Sequence, residues 1–161
     1  IPLAQMPAAL RSGDVKAAVF FPPFSDYAAR DGLSRTLFDS RAIPGEVFDV
    51  LAVDPQYLER HGDTITALIR AWAAAHQAAR RNPTQTLALA AQREQLSLEE
   101  YRQAEQGLVY FSLDQQRPML QSGGVLARNL KAVQAVQERL KLTAPGAPVP
   151  RVEARYVEAA R

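Results

Sequence analysis

The chain of 161 residues is 47% hydrophobic and 22% charged and contains no cysteine. This composition is typical of one ordinary globular domain and excludes collagen-like, disulfide-rich and fully disordered chains. No apolar run reaches the roughly 20 residues that a membrane-spanning helix needs. The 19 basic and 17 acidic residues give a net charge of only +2, and the basic residues are scattered, so we expect no nucleic-acid partner.

The first third of the chain favours alternating helices and strands. Residues 3–12 predict a helix that Gly13 ends. Apolar and β-branched residues then predict three short strands, at residues 15–21, 35–38 and 47–53. Residues 24–30 predict a short helix between the first two strands, which is the order of a βαβ unit.

The rest of the chain favours helices. Asp54 and Pro55 form a typical helix start, as do Asn82 and Pro83. Between them, apolar residues at helical spacing predict a long amphipathic helix over residues 63–81.

Two further helices follow. Ser97 and Glu100 have the spacing of a capping box. Another long helix is expected after Ser122-Gly123-Gly124, a turn that is more typical of a helix start than of an anion site. Residues 143–150 have linker composition, and residues 152–161 predict either a short docked helix or a frayed end.

No catalytic, metal or cofactor motif is evident. The two histidines, His61 and His76, are far apart in sequence, whereas a metal site needs clustered ligands. His61 is interpreted as an exposed helix-end residue and His76 as a packing residue beside Trp72. We therefore expect no metal, no cofactor and no enzymatic activity.

The end of the first predicted strand is rich in aromatic residues and proline. Ligands of open α/β sheets gather beyond the carboxyl ends of strands. Phe20, Phe21 and Phe24, together with Ser25 and Tyr27, therefore either line a ligand cleft or fill the core. The residues alone leave both interpretations open.

Residues 8–23 resemble a signature of the nitrate/sulfonate/taurine-type solute-binding proteins of ABC importers. The signature combines Ala-Leu, a glycine, an apolar strand and an aromatic-proline end. Three later blocks are similar to the same family, at residues 39–45, 50–58 and 64–83. The likeness extends over roughly residues 3–142.

The resemblance implies an α/β fold, namely a fragment of a type II periplasmic binding protein. Such a fragment would have a few-stranded sheet and a predominantly helical C-terminal two thirds. By this comparison, residues 1–45 look like the end of the second lobe and residues 46–142 like the return to the first lobe. Residues 143–161 are expected to form a Pro-rich linker and tail.

The resemblance also implies a function. Two lobes would clamp a small solute, such as a sulfonate, nitrate, taurine or a pyrimidine, and deliver it to a membrane permease of the ABC type. The residues expected to line the cleft or its crossover are Phe21, Pro22, Phe24, Tyr27, Pro44 and Gly45. The expected location is periplasmic, or membrane-anchored and extracytoplasmic.

Two positions depart from the family pattern. Lys16 stands where the family has Asp, and Pro22 stands where it often has Glu before Pro. Pro22 therefore removes a carboxylate beside the expected cleft, and the identity of the solute does not carry over.

The N-terminal strands of the first lobe are expected to be missing from this chain. Three outcomes follow: a second chain supplies the missing half, the chain self-associates, or it folds as a compact remnant. Two other functions stay open, a synthase-like enzyme that makes the thiamine pyrimidine precursor and a ligand-free interaction or sensory module.

Overall fold

A computed structural model describes residues 1–30, 32 and 34–160. Of these residues, 59% are helical and none lies in a β-strand. The α-helices in the described ranges are α1 (Met6–Ser12), α2 (Phe24–Ala29), α3 (Pro55–Arg60), α4 (Gly62–Arg81), α5 (Pro83–Glu94), α6 (Leu98–Glu105), α7 (Leu113–Leu120), α8 (Val125–Arg139) and α9 (Arg155–Ala159). Short 3-10 turns occupy Leu3–Gln5 and Ser40–Ala42.

The predicted few-stranded α/β sheet is wrong for the described part of the chain. Residues 15–21, 35–38 and 47–53 carry the apolar pattern of strands but do not form any ladder there. A helix satisfies its backbone hydrogen bonds within its own segment, whereas a strand needs a neighbouring strand to do so. These three segments are apolar, as the sequence shows, but they do not pair with another strand in the described part of the chain.

The predicted helices are confirmed, and local signals set their ends. Gly13 ends α1 in the left-handed conformation, with φ of 81°. The Asp54 carboxylate accepts a hydrogen bond from the Tyr57 N–H at 2.9 Å and so caps α3. At α6, Ser97 and Glu100 form the reciprocal capping box. Pro83 opens α5 as expected, although the Asn82 side chain makes no capping bond.

The sequence pattern did not predict helix α7, and the structure decides between the two alternatives for residues 152–161. Helix α7 begins with a second capping box, made by Ser112 and Gln115, and it continues past an internal proline, Pro118. Near the C-terminus, α9 is a docked helix and not a frayed end, because it packs on α4 and α7 with Val157 and Ala160 buried.

The chain divides into two compact units. The first unit comprises Ile1–Asp39 and Asn82–Val109. In it, α1 packs on α2 and α5 packs on α6, with Ala28 and Ala91 buried. Pro7 of α1 is buried as well, and because all three buried residues are small, the helices of this unit enclose little apolar volume.

The second unit comprises Ser40–Arg81 and Tyr110–Arg161. Here α9 lies against both α4 and α7, α7 packs on α8, and α3 packs on α4. The buried apolar residues are Ile65, Val157 and Ala160. Arg70 strengthens the docking of α9, since its Nη2 donates a hydrogen bond to the Ala159 carbonyl at 2.7 Å.

The turn between α7 and α8 depends on a glycine. A Cβ on Gly124 would lie 2.5 Å from the Met119 carbonyl oxygen and 2.8 Å from that of Gln121. The Gly124 N–H also donates to the Gln121 carbonyl at 2.8 Å. Because these neighbours are backbone atoms, they cannot move aside as a flexible side chain would.

We predict that Gly124→Ala destabilises the second unit by about 1–3 kcal/mol, the usual cost of forcing an extra carbon into a packed site. Thermal unfolding followed by helical circular dichroism measures the effect. Gly107→Ala is the matched control, because a Cβ there would make only an ordinary contact of 3.6 Å with the Ala104 carbonyl. Equal unfolding temperatures for the two variants would contradict the prediction.

The segments predicted as strands expose large apolar side chains. Val19 is 89% exposed and Leu37 76% exposed in the first unit, and Val47 is 68% exposed in the second. Runs of exposed apolar residues with extended-strand preference are prone to pair with another chain.

We therefore predict that the chain self-associates through these segments and runs above its 17.7 kDa monomer mass as concentration rises. Size-exclusion chromatography with light scattering tests this. Val19→Lys weakens the association because it places a charge in an apolar contact, whereas Ala17→Lys adds the same charge at a small exposed residue of the same segment. A monomer at every concentration would refute the prediction.

Candidate functional site

Four of the predicted site residues lie together in the first unit. Helix α2 places Phe24 and Tyr27 three residues apart, on the same side of the helix. Their ring centroids are 6.3 Å apart and nearly perpendicular, and Phe21 meets Phe24 in the same manner at 6.2 Å. Pro22, in a cis bond to Pro23, lies between Phe21 and the helix. These four residues form what we call the aromatic cluster.

The aromatic cluster is not a hydrophobic core. Phe21 is 61% exposed, and Phe24 and Tyr27 are half-buried. Edge-to-face contacts of this kind stabilise an aromatic pair by about 0.5–1.5 kcal/mol beyond burial. The interpretation that these rings fill the core is therefore not supported, and their contact with a ligand stays a prediction.

The other two predicted residues lie in the second unit. Ile43, Pro44 and Gly45 form the predicted turn, with Gly45 at φ of 82°. The Glu46 N–H closes this turn on the Ile43 carbonyl at 3.2 Å. The turn is also bonded to α8, because the Asn129 Nδ2 donates a hydrogen bond to the Glu46 carbonyl at 2.9 Å. Pro44 and Gly45 are exposed, and their place at a lobe crossover stays a prediction.

An ion pair fixes the aromatic cluster to α6. The Arg30 guanidinium lies 4.8 Å from the centre of the Tyr27 ring and 2.5 Å from a Glu100 carboxylate oxygen. The Ser97 hydroxyl and N–H also donate to this carboxylate. Hydrogen bonds from Arg30 first, and from Ser97 next, lower the pKa of Glu100 to about 2 from its usual 4.5.

The two histidines behave as packing residues. His61 is exposed and stacks on Tyr57, with ring centroids 4.2 Å apart. His76 is half-buried between two aromatic rings, 5.4 Å from Trp72 and 5.7 Å from Tyr110. Within the described ranges, no three His, Asp or Glu residues are close enough to hold a metal ion.

The second unit contains a groove between α4 and the first turn of α7. We call it the α4–α7 groove; its volume is about 390 Å³. This is within the range of small-molecule sites. Ala160, just after α9, lies at its base and is buried. The other lining residues are Arg70, Trp72, Ala73, Ala74, His76 and Gln77 of α4, and Ser112, Leu113, Asp114 and Arg117 around the start of α7.

Positive charge predominates in the α4–α7 groove. Arg70 and Arg117 bring two guanidinium groups, and Asp114 brings one carboxylate, which pairs with Arg117 at 2.9 Å. The Asp114 side chain is 84% exposed, whereas that of Arg117 is only 20% exposed. The first turn of α7 also lines the groove, and the positive end of its helix dipole lies there, although the Ser112 hydroxyl already accepts from the Gln115 N–H. An anion is therefore favoured over a cation.

Arg117 is incompletely paired. Its Nε is buried and has no hydrogen-bond partner among the described residues. A buried donor without an acceptor destabilises the folded state.

Sequence reasoning missed the α4–α7 groove. The spacing of Trp72 and His76 on α4 was recognised, but these residues were interpreted only as packing residues. The capping pattern of Ser112 and Gln115 was the available signal for α7, and with it Arg117 could have been placed on a helix. The approach of α9, which supplies the base of the groove, has no local signal.

The comparisons with known proteins point to one family. The model of the NMT1-like family matches residues 1–93, which is more than half of the chain. The chain therefore belongs to the NMT1-like family. Members of this family are associated with ABC solute-binding proteins; they bind small solutes and work with ABC permeases.

This family assignment confirms the predicted resemblance at the family level. Neither the curated proteins nor the solved structures gave a match to the chain. In the described part of the chain, no helix has the length and apolar character needed to cross a membrane.

The low pKa of Glu100 predicts acid sensitivity in the first unit. A carboxyl group with a lowered pKa stabilises the fold above its unfolded value of about 4.5. That stabilisation is lost as the pH falls from about 4.5 towards about 2. The unfolding temperature of the unchanged chain should thus fall more steeply over this window than that of Glu100→Gln. Glu99→Gln is the control, because Glu99 pairs with Arg102 of the same helix. The prediction is contradicted if the unfolding temperatures of the unchanged chain and of Glu100→Gln fall by the same amount over this pH window.

Proposed function

We propose that this chain is the solute-binding component of an ABC importer and that it binds a small solute such as a sulfonate, nitrate, taurine or a pyrimidine-like compound. Membership of the NMT1-like family over residues 1–93 carries this proposal. The role is binding without catalysis, and the protein acts outside the cytoplasm, in the periplasm or anchored to a membrane. Its partner is the membrane permease that accepts the solute.

The chemistry of the α4–α7 groove supports a binding role. A small-molecule site combines apolar and aromatic walls with a few polar groups that fix orientation. The groove has Trp72 and His76 as its aromatic wall, and Arg70, Arg117 and Ser112 as its polar groups. The two guanidinium groups suit an anionic head group such as a sulfonate, because they are always charged and carry several N–H donors.

The aromatic cluster of the first unit offers a second surface for the same role. Its Phe21 ring is largely exposed and is held against Phe24. Such a surface suits the flat face of a pyrimidine, and the Arg30–Glu100 pair links it to α6. The aromatic cluster therefore supports the pyrimidine-like part of the proposed solute range.

Thermal-shift measurements with taurine, nitrate, methanesulfonate and thymine test the proposal. A ligand that binds only the folded chain stabilises it by about 2.7 kcal/mol at one hundred times its Kd, so at least one solute should raise the unfolding temperature by several degrees. Sodium chloride at matched ionic strength controls for general salt effects. If none of the four solutes raises the unfolding temperature above this control at high excess, the proposal is wrong.

The alternative of a ligand-free interaction module is favoured by the exposed apolar side chains, of which Val19 and Leu37 are examples. The same measurements separate the two functions. An interaction module would self-associate in the light-scattering experiment without any response to solutes, whereas a solute-binding component responds to at least one of them.

A further inference from the structure

We propose that the α4–α7 groove selects a single-ring aromatic carboxylate. This inference rests on the proposed solute-binding function and names the class of solute. Two features of the groove lead to it: an aromatic wall in which the Trp72 ring is partly exposed, and an excess of positive charge.

The aromatic wall selects a planar ring. Trp72, His76 and Tyr110 form a continuous stack, with successive ring planes inclined by 34° and 40°. Trp72 lines the groove and is 40% exposed, so part of its surface is accessible to a ligand. Because His76 and Tyr110 support the indole, it offers a ring that is held in place. A planar aromatic ligand gains offset stacking on such a surface, and an aliphatic ring of the same size does not.

The charge selects a carboxylate on that ring. The Arg117 guanidinium uses Nη1 for Asp114 and leaves Nε without a partner among the described residues. Arg70 commits Nη2 to the Ala159 carbonyl, and a guanidinium carries five N–H donors in all. The planar fork of arginine matches the two oxygens of a carboxylate.

The groove has room for a small ligand. Its volume of about 390 Å³ lies at the lower end of the range for small-molecule sites. The buried Ala160 is one of its lining residues. One six-membered ring with one carboxylate fits in this space.

A set of three probes tests the proposal on the unchanged chain. Benzoate has the ring and the charge, cyclohexanecarboxylate has the charge without the aromatic face, and benzamide has the ring without the charge. Trp72 is the only tryptophan in the sequence, so its fluorescence reports directly on the groove, and isothermal titration calorimetry gives the Kd independently. We expect benzoate to bind at least tenfold more tightly than either analogue. Equal affinity for benzoate and cyclohexanecarboxylate would overturn the proposal.

Variants then assign the binding to the groove. Arg117→Gln should weaken benzoate binding at least tenfold and leave the weaker binding of benzamide unchanged, which shows that the variant is folded. The matched control is Arg80→Gln, which removes the same charge from α4 at a residue outside the groove lining. Unchanged benzoate affinity in a folded Arg117→Gln variant would overturn the proposal. If that variant does not fold, the three-probe comparison on the unchanged chain decides.

The same titrations separate this inference from the proposed function. If taurine, nitrate, methanesulfonate or thymine binds and benzoate does not, the aromatic carboxylate is the wrong class, while the solute-binding function stands. If neither benzoate nor any of these solutes binds, both proposals fail. If benzoate binds with the expected discrimination and at least one of the four solutes also binds, both are supported. If benzoate alone binds, the aromatic carboxylate is supported and the proposed solute range is wrong.

Discussion

The described structure depends on backbone hydrogen bonds that close within a few residues of sequence. The long helices α4, α5 and α8 satisfy most of their own N–H and C=O groups, and short polar side chains at Asp54, Ser97 and Ser112 cap three of the other helices. These local hydrogen bonds contribute an unusually large share of the stability, because few apolar side chains are deeply buried. The buried apolar residues of the described chain are mostly alanine and valine. The stability of each unit therefore depends on capped helices and on a few specific side-chain hydrogen bonds and ion pairs.

In the second unit, the docking of one short helix creates the concave surface. Helix α9 contacts both α4 and α7, and its buried Val157 anchors it there. Ala160 then forms the base of the α4–α7 groove, while Arg70 and Arg117 approach from the two sides. A helix of five residues has almost no stability alone. The groove is thus a consequence of tertiary packing, and the same contact that stabilises α9 also gives the groove its shape.

In the first unit, the Arg30–Glu100 pair links two helices that are far apart in sequence. The pair joins the end of α2 to the first turn of α6, where Glu100 already belongs to the capping box. One carboxylate therefore caps its own helix and holds its neighbour. Arg30 also covers the Tyr27 ring, so the pair links the aromatic cluster to α6. It is compatible with the small-solute binding of the NMT1-like family.

The sequence by itself determined the family and every helix except α7, together with the caps of α3 and α6. Apolar periodicity, capping residues and Gly13 act over a few residues, so the sequence places Asp54, Ser97 and Glu100 correctly and groups the residues of the aromatic cluster.

Only tertiary structure decided the rest. The expected strands required partners elsewhere, and apolar β-branched runs such as residues 15–21 specify an extended preference without specifying what pairs with it. The groove required α9 to meet α7 across 34 residues of intervening chain and α4 across 73. Long-range packing of this kind leaves no periodic signal in the sequence, because it depends on the shape of surfaces that exist only after the helices have formed.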